Sequence, residues 1–442
     1  MTLKNLSTKI FQKIKSTQSL SLLTQVSKFT LEKQLSFIHQ IEKIDLRLIK
    51  KQQKVLKETN KSLCDLKPIN FVEKSGKISR IELGKKVLKQ GKVGCLVVAG
   101  GQGTRLGSNA PKGFYPITIC KQKSLFQLLC EKILAASIYS KHPLPLAIMT
   151  SPKNFLETKN FFKAHNYFGL EENQVSFFVQ DQLPYLSDEG SLIIDSDDNL
   201  ALAPDGNGKA LHKFWQSGLG IEWEKKGIEY VNFILIDNVL ADPFDIELLG
   251  IQQETHAEIA VKVIPRISKE EKVGVIGKIG KKIKVVEYSE IDKTLEENEM
   301  IFHYANISCF LFTMSFIKKI SLKTIPLHKQ LKPVDSKLNG YKFEYYIFDV
   351  IPFATKVAIL EYPRWQTFAP LKNKEGNDSV KIVQKSVLER EKKILAAVIK
   401  KEVMCNFFEL DPQFYYPTDE LIQFWKGKTI QPGYVPSFKE IN

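Results

Sequence analysis

Apolar residues in the first ninety positions recur at helical spacing. Over residues 30–57, apolar side chains three or four positions apart alternate with lysine, glutamate and glutamine, which is typical of amphipathic helices. A further short helix is predicted over residues 81–88, with Gly91 as its stop signal. The pattern therefore predicts a helical N-terminal segment over residues 1–90.

A different pattern begins at residue 94, where a continuous apolar run ends in a glycine-rich loop. The run GCLVVA over residues 94–99 is typical of a strand buried on both faces of a parallel sheet. Similar short runs occupy residues 146–149, 175–179, 231–236, 259–264 and 357–360. Helical or loop segments such as 125–138 and 154–165 separate them. This alternation predicts an α/β fold with a doubly wound, mostly parallel sheet.

Two other segments differ from this alternation. Residues 274–289 predict a β-hairpin with a Gly-Lys turn. After residue 373, a helix is predicted over 380–401, and proline- and tyrosine-rich sequence follows it. We therefore expect three parts, namely the N-terminal helical segment (1–90), a central α/β domain (91–373) and a small C-terminal domain (374–442).

Composition and charge narrow the classes of function. The 442 residues are 43% hydrophobic and 26% charged, as in ordinary globular proteins, and no apolar run approaches the ~20 residues of a membrane-spanning helix. The net charge of +15 is spread along the chain without long basic blocks or a nucleic-acid-binding motif. We therefore expect small polyanionic substrates, no membrane and no nucleic acid, although net charge alone keeps a nucleic-acid binder as an alternative.

The cysteines and the N-terminus bear on the compartment. The six cysteines are scattered and form no CxxC pair, which favours reduced thiols in the cytoplasm and argues against a structural zinc site. The first twenty residues lack the apolar stretch and cleavage site of a secretory signal. We expect a cytoplasmic protein, with an organelle transit peptide as the alternative.

The most informative segment is the loop AGGQGTRLG over residues 99–107, followed by Pro111-Lys112-Gly113. Glycines directly after a buried strand allow backbone N–H groups to approach phosphate oxygens closely. Arg105 and Lys112 add positive charge suited to a polyphosphate. A GxGxxG dinucleotide motif would need glycine in place of Leu106, and a P-loop would need Ser or Thr after Lys112. The loop therefore predicts a phosphate site of another kind, and the alternative is a glycine-rich turn without a ligand.

Asp237 directly follows the predicted strand 231–236. Carboxyl ends of parallel strands border the crevice where such sheets bind ligands. Magnesium prefers one or two carboxylates together with phosphate oxygens and waters. Asp237 is therefore our candidate ligand for Mg²⁺ (or Mn²⁺).

The loop at residues 100–107 with Pro111-Lys112-Gly113 resembles the signature loop of eukaryotic-type UDP-N-acetylglucosamine pyrophosphorylases, within the wider UDP-glucose/UDP-sugar pyrophosphorylase superfamily. Further blocks resemble this family in order over about residues 30–373; they include Gln180, 204–208, Asp237-Asn238, 273–275, 286–290, Asn306, Phe348-Asp349 and 370–373. The resemblance implies a Rossmann-like, GT-A-like nucleotidyltransferase core. It also implies that UTP and N-acetylglucosamine 1-phosphate are converted to UDP-N-acetylglucosamine and pyrophosphate.

The resemblance also implies a role for individual residues. Those assigned to the nucleotide are Val98, Ala99, Gly100, Gly101, Gln180, Gly206 and Asn207, the last of which would contact ribose or sugar. Those assigned to the sugar are Gly274, Glu287, Asn306, Tyr346 and Phe348. The catalytic cations are Arg105, Lys112 and Lys372, which would stabilise phosphate charge while the sugar phosphate attacks UTP.

Three departures from the family pattern leave alternatives open. Lys209-Ala210 stand where a second glycine and Leu-Tyr are usual, Tyr346 replaces a more usual phenylalanine, and the C-terminal part is shorter and divergent. Hence UDP-glucose synthesis or broad UDP-sugar synthesis remains an alternative, and a monomer is our expectation. A catalytically silent UDP-sugar-binding protein is a third possibility, but it would be expected to have lost at least one of Arg105, Lys112, Asp237 and Lys372.

Overall fold

The computed structural model describes residues 8–58, 65–288, 290–291, 293–296, 299–336 and 338–438. The chain divides into two compact units. The smaller unit comprises residues 1–62, 180–209 and 324–349, and the larger unit comprises 63–179, 210–323 and 350–442. Because each unit combines segments distant in sequence, the units do not follow the boundaries expected at residues 90 and 373.

The described strands, in chain order, are β1 (Lys67–Pro68), β2 (Glu73–Lys74), β3 (Val93–Val98), β4 (Leu146–Thr150), β5 (Val175–Val179), β6 (Gln182–Pro184), β7 (Leu202–Pro204), β8 (Tyr230–Leu235), β9 (Ile259–Pro265), β10 (Val275–Ile279), β11 (Lys282–Val286), β12 (Tyr304–Thr313), β13 (His328–Pro333), β14 (Asn339–Glu344), β15 (Val357–Glu361), β16 (Phe408–Leu410) and β17 (Gly433–Val435). The described α-helices are α1 (Thr8–Ser16), α2 (Leu22–Val26), α3 (Leu31–Lys43), α4 (Leu46–Lys57), α5 (Ile78–Lys89), α6 (Leu125–Ser140), α7 (Phe155–Ala164), α8 (Ala210–Gln216), α9 (Leu219–Lys225), α10 (Ile246–Thr255), α11 (Met314–Ile320), α12 (Arg364–Thr367), α13 (Val380–Ile399) and α14 (Asp419–Trp425).

The larger unit is built on one mixed sheet, which confirms the predicted mostly parallel α/β architecture. Its main strand order is β2-β15-β9-β12-β8-β3-β4-β5. The neighbours are parallel except at β12, which is antiparallel to both β9 and β8. The hairpin β10–β11 extends from the β12 side of the sheet. Residues of β3 and β4 are almost entirely buried, as their continuous apolar sequences require.

Helix termini in the larger unit have clear local causes. Ser124 caps α6 by accepting a hydrogen bond from Gln127 N, and Asp245 caps α10 by accepting one from Leu248 N at 2.7 Å, so each side chain satisfies an N–H left free at the helix start.

Helices α5 and α10 pack closely at Gly84. A Cβ on Gly84 would lie only 1.7 Å from Ile246 O, so only glycine fits at this position.

The C-terminal part of the larger unit has a hydrophobic cluster of its own. Strands β16 and β17 pair in parallel beside α13 and α14. The cluster includes Leu395, Phe408, Phe414, Leu421 and Trp425. This cluster explains why the sequence changes character after residue 373.

The smaller unit contains the N-terminal helices α1 to α4 and two antiparallel strand pairs. Strands β6 and β7 form one pair, and β13 and β14 form the other. Thr30 caps α3, and Asp45 caps α4. Gln52, fully buried on α4, donates to Pro184 O at 2.8 Å and so ties the helices to the β6 region.

Most predicted elements are confirmed within a few residues, including the 275–286 hairpin; residue 289 of that prediction lies outside the described residues. Strand β12 was not predicted. Its alternation is interrupted by a bulge between Asn306 and Phe310, where Ser308 has φ 53°, so the segment does not resemble one continuous strand in sequence. No helix within the described residues is long and apolar enough to cross a bilayer.

Candidate active site

The glycine loop begins where β3 ends at Val98. Ala99 N continues the sheet by donating to Met149 O at 2.8 Å. The loop is then held to the segment before Gly113: Lys112 N donates to Gly101 O and Gly103 N donates to Ala110 O, both at 3.0 Å. A Cβ on Gly101 would meet no atom within 4 Å. The loop is therefore fixed by main-chain hydrogen bonds at Gly101 O and Gly103 N, while space remains open at the Cβ position of Gly101.

Lys112 and Asp237 lie together at the carboxyl ends of β3 and β8. Lys112 Nζ is 3.6 Å from Asp237 Oδ2, and the two side chains are 14% and 24% exposed. Lys112 Nζ also donates to Leu371 O at 3.3 Å. The structure thus brings a predicted cation and the predicted metal ligand into one partly buried pair, where their attraction exceeds that of a fully solvated pair.

The segment that carries Lys372 is fastened to the same strand end. Leu371 N donates to Asp237 O at 2.7 Å, and Lys374 N donates to Arg105 O at 3.1 Å. Lys372 Nζ lies 3.3 Å from Asp378 Oδ2, and Lys372 N donates to Asp378 O at 2.9 Å. Main-chain hydrogen bonds therefore join the segments that bear Arg105, Asp237 and Lys372.

A buried asparagine that sequence reasoning did not assign to the site supports this arrangement. Asn238 Nδ2 donates to Thr367 O at 2.8 Å, and Asn238 Oδ1 accepts from Ala369 N at 3.0 Å. Its neighbour Val239 N donates to Ala369 O at 3.2 Å. The single amide therefore binds the segment that leads to Lys372 at two points, Thr367 O and Ala369 N. The sequence signals were its place next to Asp237 and its membership of the Asp237-Asn238 block that resembles the family.

Three residues that the resemblance assigns to the sugar meet at β10, β11 and β12. Asn306 N donates to Gly274 O at 2.8 Å. A Cβ on Gly274 would lie 3.6 Å from Glu287 Oε1. Asn306 is buried, and its Oδ1 accepts from Ser308 N at 3.2 Å. Gly274 therefore lies next to both the Asn306 main chain and the Glu287 carboxylate.

The remaining candidates belong to the smaller unit. Gln180 is buried, and the carbonyl of the next residue, Asp181, accepts from Asp205 N at 3.0 Å. Gly206 has φ 85°, and a Cβ there would lie 2.4 Å from Tyr345 O. Asn207 Oδ1 accepts from Ile347 N at 2.9 Å. Asn207 therefore joins the 204–208 turn to the segment that carries the aromatic pair.

The aromatic pair adopts a defined geometry. The rings of Tyr346 and Phe348 are stacked with centroids 5.0 Å apart, and Phe348 is buried. The His328 ring lies against the Tyr346 ring, with their centroids 4.6 Å apart. Gln330 Nε2 donates to the Tyr346 hydroxyl at 2.9 Å. The pair does not lie on a strand face, because residue 346 follows β14 and Phe348 lies in a 3₁₀ segment, Ile347–Phe353.

Lys209, one of the residues that depart from the family pattern, lies near a side chain of opposite charge. Lys209 Nζ lies 3.7 Å from Asp205 Oδ2, and Asp205 is fully buried. The Lys209 ammonium also stands over the Tyr345 ring, 4.4 Å from its centroid. The lysine thus places a positive charge beside a buried carboxylate in the turn that contains Gly206.

A metal site in the described residues would have to be simple. No group of three or more His, Cys, Asp or Glu side chains there could hold a metal ion. Asp237 offers a single, partly buried carboxylate just after a strand. That donor set suits a magnesium ion that takes its other ligands from phosphate oxygens and water.

Comparison with known proteins places this geometry in context. The family described as UTP–glucose-1-phosphate uridylyltransferase matches residues 38–421. UDP-N-acetylglucosamine diphosphorylase 2 of Arabidopsis thaliana is 35% identical over 322 residues, which are 67% of this chain and 64% of that protein. UDP-N-acetylglucosamine pyrophosphorylase of Saccharomyces cerevisiae is 32% identical over 410 residues, 84% of each chain.

Solved structures agree with this comparison. The crystal structure of the uridine diphosphate N-acetylglucosamine pyrophosphorylase of Trypanosoma brucei, in complex with an inhibitor, has a TM-score of 0.78 and 26% identity to this chain. It covers 96% of this chain and 95% of the trypanosomal chain. The similarity therefore extends over nearly the whole fold.

Proposed function

Because this chain belongs to the UTP–glucose-1-phosphate uridylyltransferase family, we propose that it converts UTP and N-acetylglucosamine 1-phosphate to UDP-N-acetylglucosamine and pyrophosphate. The choice of sugar is supported by the names of relatives in plant and yeast, which are N-acetylglucosamine enzymes. The alignment with the plant relative spans 64% of that protein's length.

One observation carries the proposal: Lys112, whose N–H donates to the glycine loop at Gly101 O, forms a charged pair with Asp237. Lys112 and Asp237 form a pair 3.6 Å apart, and main-chain hydrogen bonds tie Lys374 to Arg105 and Leu371 to Asp237. Positive groups held near a strand-end loop suit a reaction in which charge increases on phosphate oxygens. We assign Arg105 and Lys112 to the UTP phosphates and Lys372 to the phosphate of the sugar.

The proposed chemistry is a single in-line displacement. A phosphate oxygen of the sugar 1-phosphate forms a bond to the α-phosphorus of UTP, and the bond from that phosphorus to the bridging oxygen breaks. The electron pair of the broken bond leaves with pyrophosphate. Since the attacking oxygen is already anionic, no general base is required. The protein contributes positioning and charge stabilisation.

We propose that Asp237 holds Mg²⁺ or Mn²⁺. When bound, the ion would supply positive charge to phosphate oxygens and orient the departing group. Asp237 suits this task because it offers a carboxylate at a strand end, with Lys112 beside it to balance charge before the ion binds.

We propose roles in substrate recognition for two groups of residues, each described within its own unit. In the larger unit, Gly274, Glu287 and Asn306 provide a carboxylate and an amide for sugar hydroxyl and acetamido groups. In the smaller unit, the stacked Tyr346 and Phe348 provide an apolar surface, and the Tyr346 hydroxyl already has Gln330 as its donor. The hydroxyl that distinguishes this chain from the family pattern is therefore held by a protein partner.

The decisive test is the release of pyrophosphate by the purified full chain with UTP and Mg²⁺. N-acetylglucosamine 1-phosphate and glucose 1-phosphate are supplied in parallel, and kcat/KM is compared. Higher kcat/KM with the acetylated sugar supports the proposal, and higher or equal kcat/KM with glucose 1-phosphate supports the UDP-glucose or broad-specificity alternative. A folded sample that binds UTP but releases no pyrophosphate with either sugar would establish the silent-binder alternative.

We also propose that the enzyme acts as a cytoplasmic monomer. The described cysteines Cys95, Cys120, Cys130, Cys309 and Cys405 are free thiols, which suits a reducing compartment. Light scattering of the purified chain tests the monomer, and fractionation of the source cells tests the location.

A further inference from the structure

Asn154 lies between β4 and α7, is fully buried, and stands at the N-cap position of α7. An asparagine at this position usually accepts a hydrogen bond from the first turn of the helix. Asn154 makes no such bond. Its side chain is directed instead to the glycine loop after β3, so the usual capping role does not explain it.

The amide of Asn154 binds three consecutive loop residues. Nδ2 donates to Gly100 O at 3.1 Å and to Gly101 O at 3.3 Å, and Oδ1 accepts from Gln102 Nε2. Because the two loop carbonyls can only accept, they identify the side of the amide that carries the N–H groups. The whole polar end of the side chain is therefore engaged by the loop.

These hydrogen bonds determine the direction of the loop amides. In a planar trans peptide, the C=O of one residue and the N–H of the next point in opposite directions. With Gly100 O and Gly101 O drawn toward Asn154, the N–H groups of Gly101 and Gln102 point away from it. Within the described residues, neither of these two N–H groups donates a hydrogen bond. The space around Gly101 is also open to 4 Å.

We infer that Asn154 is a positioning residue that directs the N–H groups of Gly101 and Gln102 toward the triphosphate of UTP. Lys112 N reinforces the arrangement, since it donates to the same Gly101 carbonyl at 3.0 Å. Because Asn154 is fully buried, it acts only through the loop. This inference rests on the proposed uridylyltransferase function, because that function supplies the polyphosphate.

The test compares Asn154→Ala and Asn154→Asp with the unmodified chain. Loss of the amide donor frees the two carbonyls to rotate, so KM and Kd for UTP should rise about tenfold. KM for the sugar 1-phosphate and kcat at saturating UTP should change less than about threefold. Asn154→Asp keeps the size of the side chain but opposes the two carbonyl oxygens with a carboxylate, so its Kd should rise at least as much.

Asn232→Ala is the matched control. Asn232 is also buried, and its Nδ2 donates to Asp242 O at 2.9 Å, so its removal tests the cost of losing a buried amide elsewhere in the larger unit. Its thermal stability should fall as in Asn154→Ala, with Kd for UTP unchanged. Equal Kd values for UTP in Asn154→Ala and the unmodified chain would overturn the inference, as would an equal rise in Asn232→Ala.

Binding of inorganic tripolyphosphate, measured by calorimetry, separates this inference from the proposed function. Weaker tripolyphosphate binding in Asn154→Ala supports the positioning role even where the unmodified chain releases no pyrophosphate. Turnover by the unmodified chain together with equal tripolyphosphate affinity in Asn154→Ala would retain the function and overturn the role of Asn154.

Discussion

The Lys112 ammonium lies 3.6 Å from the Asp237 carboxylate, at the ends of two adjacent parallel strands. The pair is partly buried, and Lys112 is also held by Leu371 O. The Lys112 ammonium is therefore held by other groups of the protein, which reduces the ordering needed at the moment of reaction. Under the proposed assignments, the metal-binding carboxylate and the phosphate-binding cation would act side by side.

Replacement of Asp237 should weaken metal binding while the protein remains folded. Asp237→Asn keeps the size of the side chain and removes its charge, so we expect kcat to fall on the order of a hundredfold or more. The Mg²⁺ concentration for half-maximal rate should rise, and chelation of Mg²⁺ should abolish turnover in the unmodified chain. Asp188→Asn, at an exposed position, is the control. An unchanged Mg²⁺ requirement in Asp237→Asn would contradict the assignment.

Arg105→Ala and Lys372→Ala should each abolish measurable turnover in a folded protein. Arg105 is exposed, and Lys372 is 38% exposed, so each change should alter the free energy of unfolding by less than about 0.5 kcal/mol. Pyrophosphate release and thermal unfolding are measured on the same samples. Lys153→Ala, also exposed, controls for loss of surface charge. Near-normal turnover in either variant would remove that residue from the site.

Asp378→Asn should strengthen binding of the sugar 1-phosphate. Asp378 Oδ2 lies 3.3 Å from Lys372 Nζ, where a substrate phosphate would compete with the carboxylate for the same ammonium. The pair is more than a third exposed, so its contribution is at most about 1 kcal/mol, and KM should fall by up to about fivefold. Asparagine suits the φ of 56° at this position. A higher KM would show that the carboxylate serves instead to hold Lys372.

Glu391→Gln should remove a pH dependence of stability. Burial raises the pKa of Glu391 to about 7 from its ordinary value of 4.5, with Glu409 adding to the rise and Leu410 N–H, the Tyr415 hydroxyl and Lys132 opposing it. Since the folded pKa is the higher one, the stability from this group is complete below about pH 4.5. It is lost as pH rises through about 7, by about 3 kcal/mol in total.

Urea unfolding between about pH 5 and about pH 8 measures this effect. The unmodified chain should lose stability relative to Glu391→Gln over that interval, and Glu420→Gln, at an exposed position, should follow the unmodified chain. Parallel curves for Glu391→Gln and the unmodified chain would contradict the prediction. Burial lowers the pKa of Lys132 to about 8, so its titration changes the stability mainly above this pH interval.

Gly206→Ala should destabilise the smaller unit by about 2 to 4 kcal/mol. The residue has φ 85°, and a Cβ would lie 2.4 Å from Tyr345 O, so alanine meets both backbone strain and a clash. Gly218→Ala is the control, because Gly218 has φ 88° but no atom within 4 Å of its Cβ position. A smaller loss of stability in Gly206→Ala than in Gly218→Ala would contradict the clash.

Much of the fold could be predicted because buried parallel strands are short apolar runs that end in polar or glycine-rich segments. Strands β5 and β15 were predicted almost to the residue. Strand β12 was missed because Asn306 and Ser308 interrupt its pattern. The division into two units could not be read from sequence, because it depends on how segments 180–209 and 324–349 return to the N-terminal helices.

From the residues alone, site residues could be predicted only where their position at a strand end or in a glycine-rich loop indicates a ligand. Asp237 became a candidate because it follows a strand, and Arg105 and Lys112 became candidates because they lie within or just after the glycine loop. The assignments at Glu287 and Lys372 depended on the resemblance. Asn154 and Asn238 act through buried side-chain amides, and a buried asparagine has the same sequence appearance as one in a solvated turn.

The antiparallel strand β12 at the centre of the sheet determines the order in which strands can pair during synthesis at the ribosome. Strands β3, β4, β5 and β8 can pair once residues 93–235 have emerged, but β9 joins them only through β12. Until residues 304–313 leave the exit tunnel, the free edge of β8 exposes unpaired backbone beside apolar side chains. The nascent chain therefore passes through a period in which that edge is unpaired, and slow codons between β9 and β12 would lengthen it.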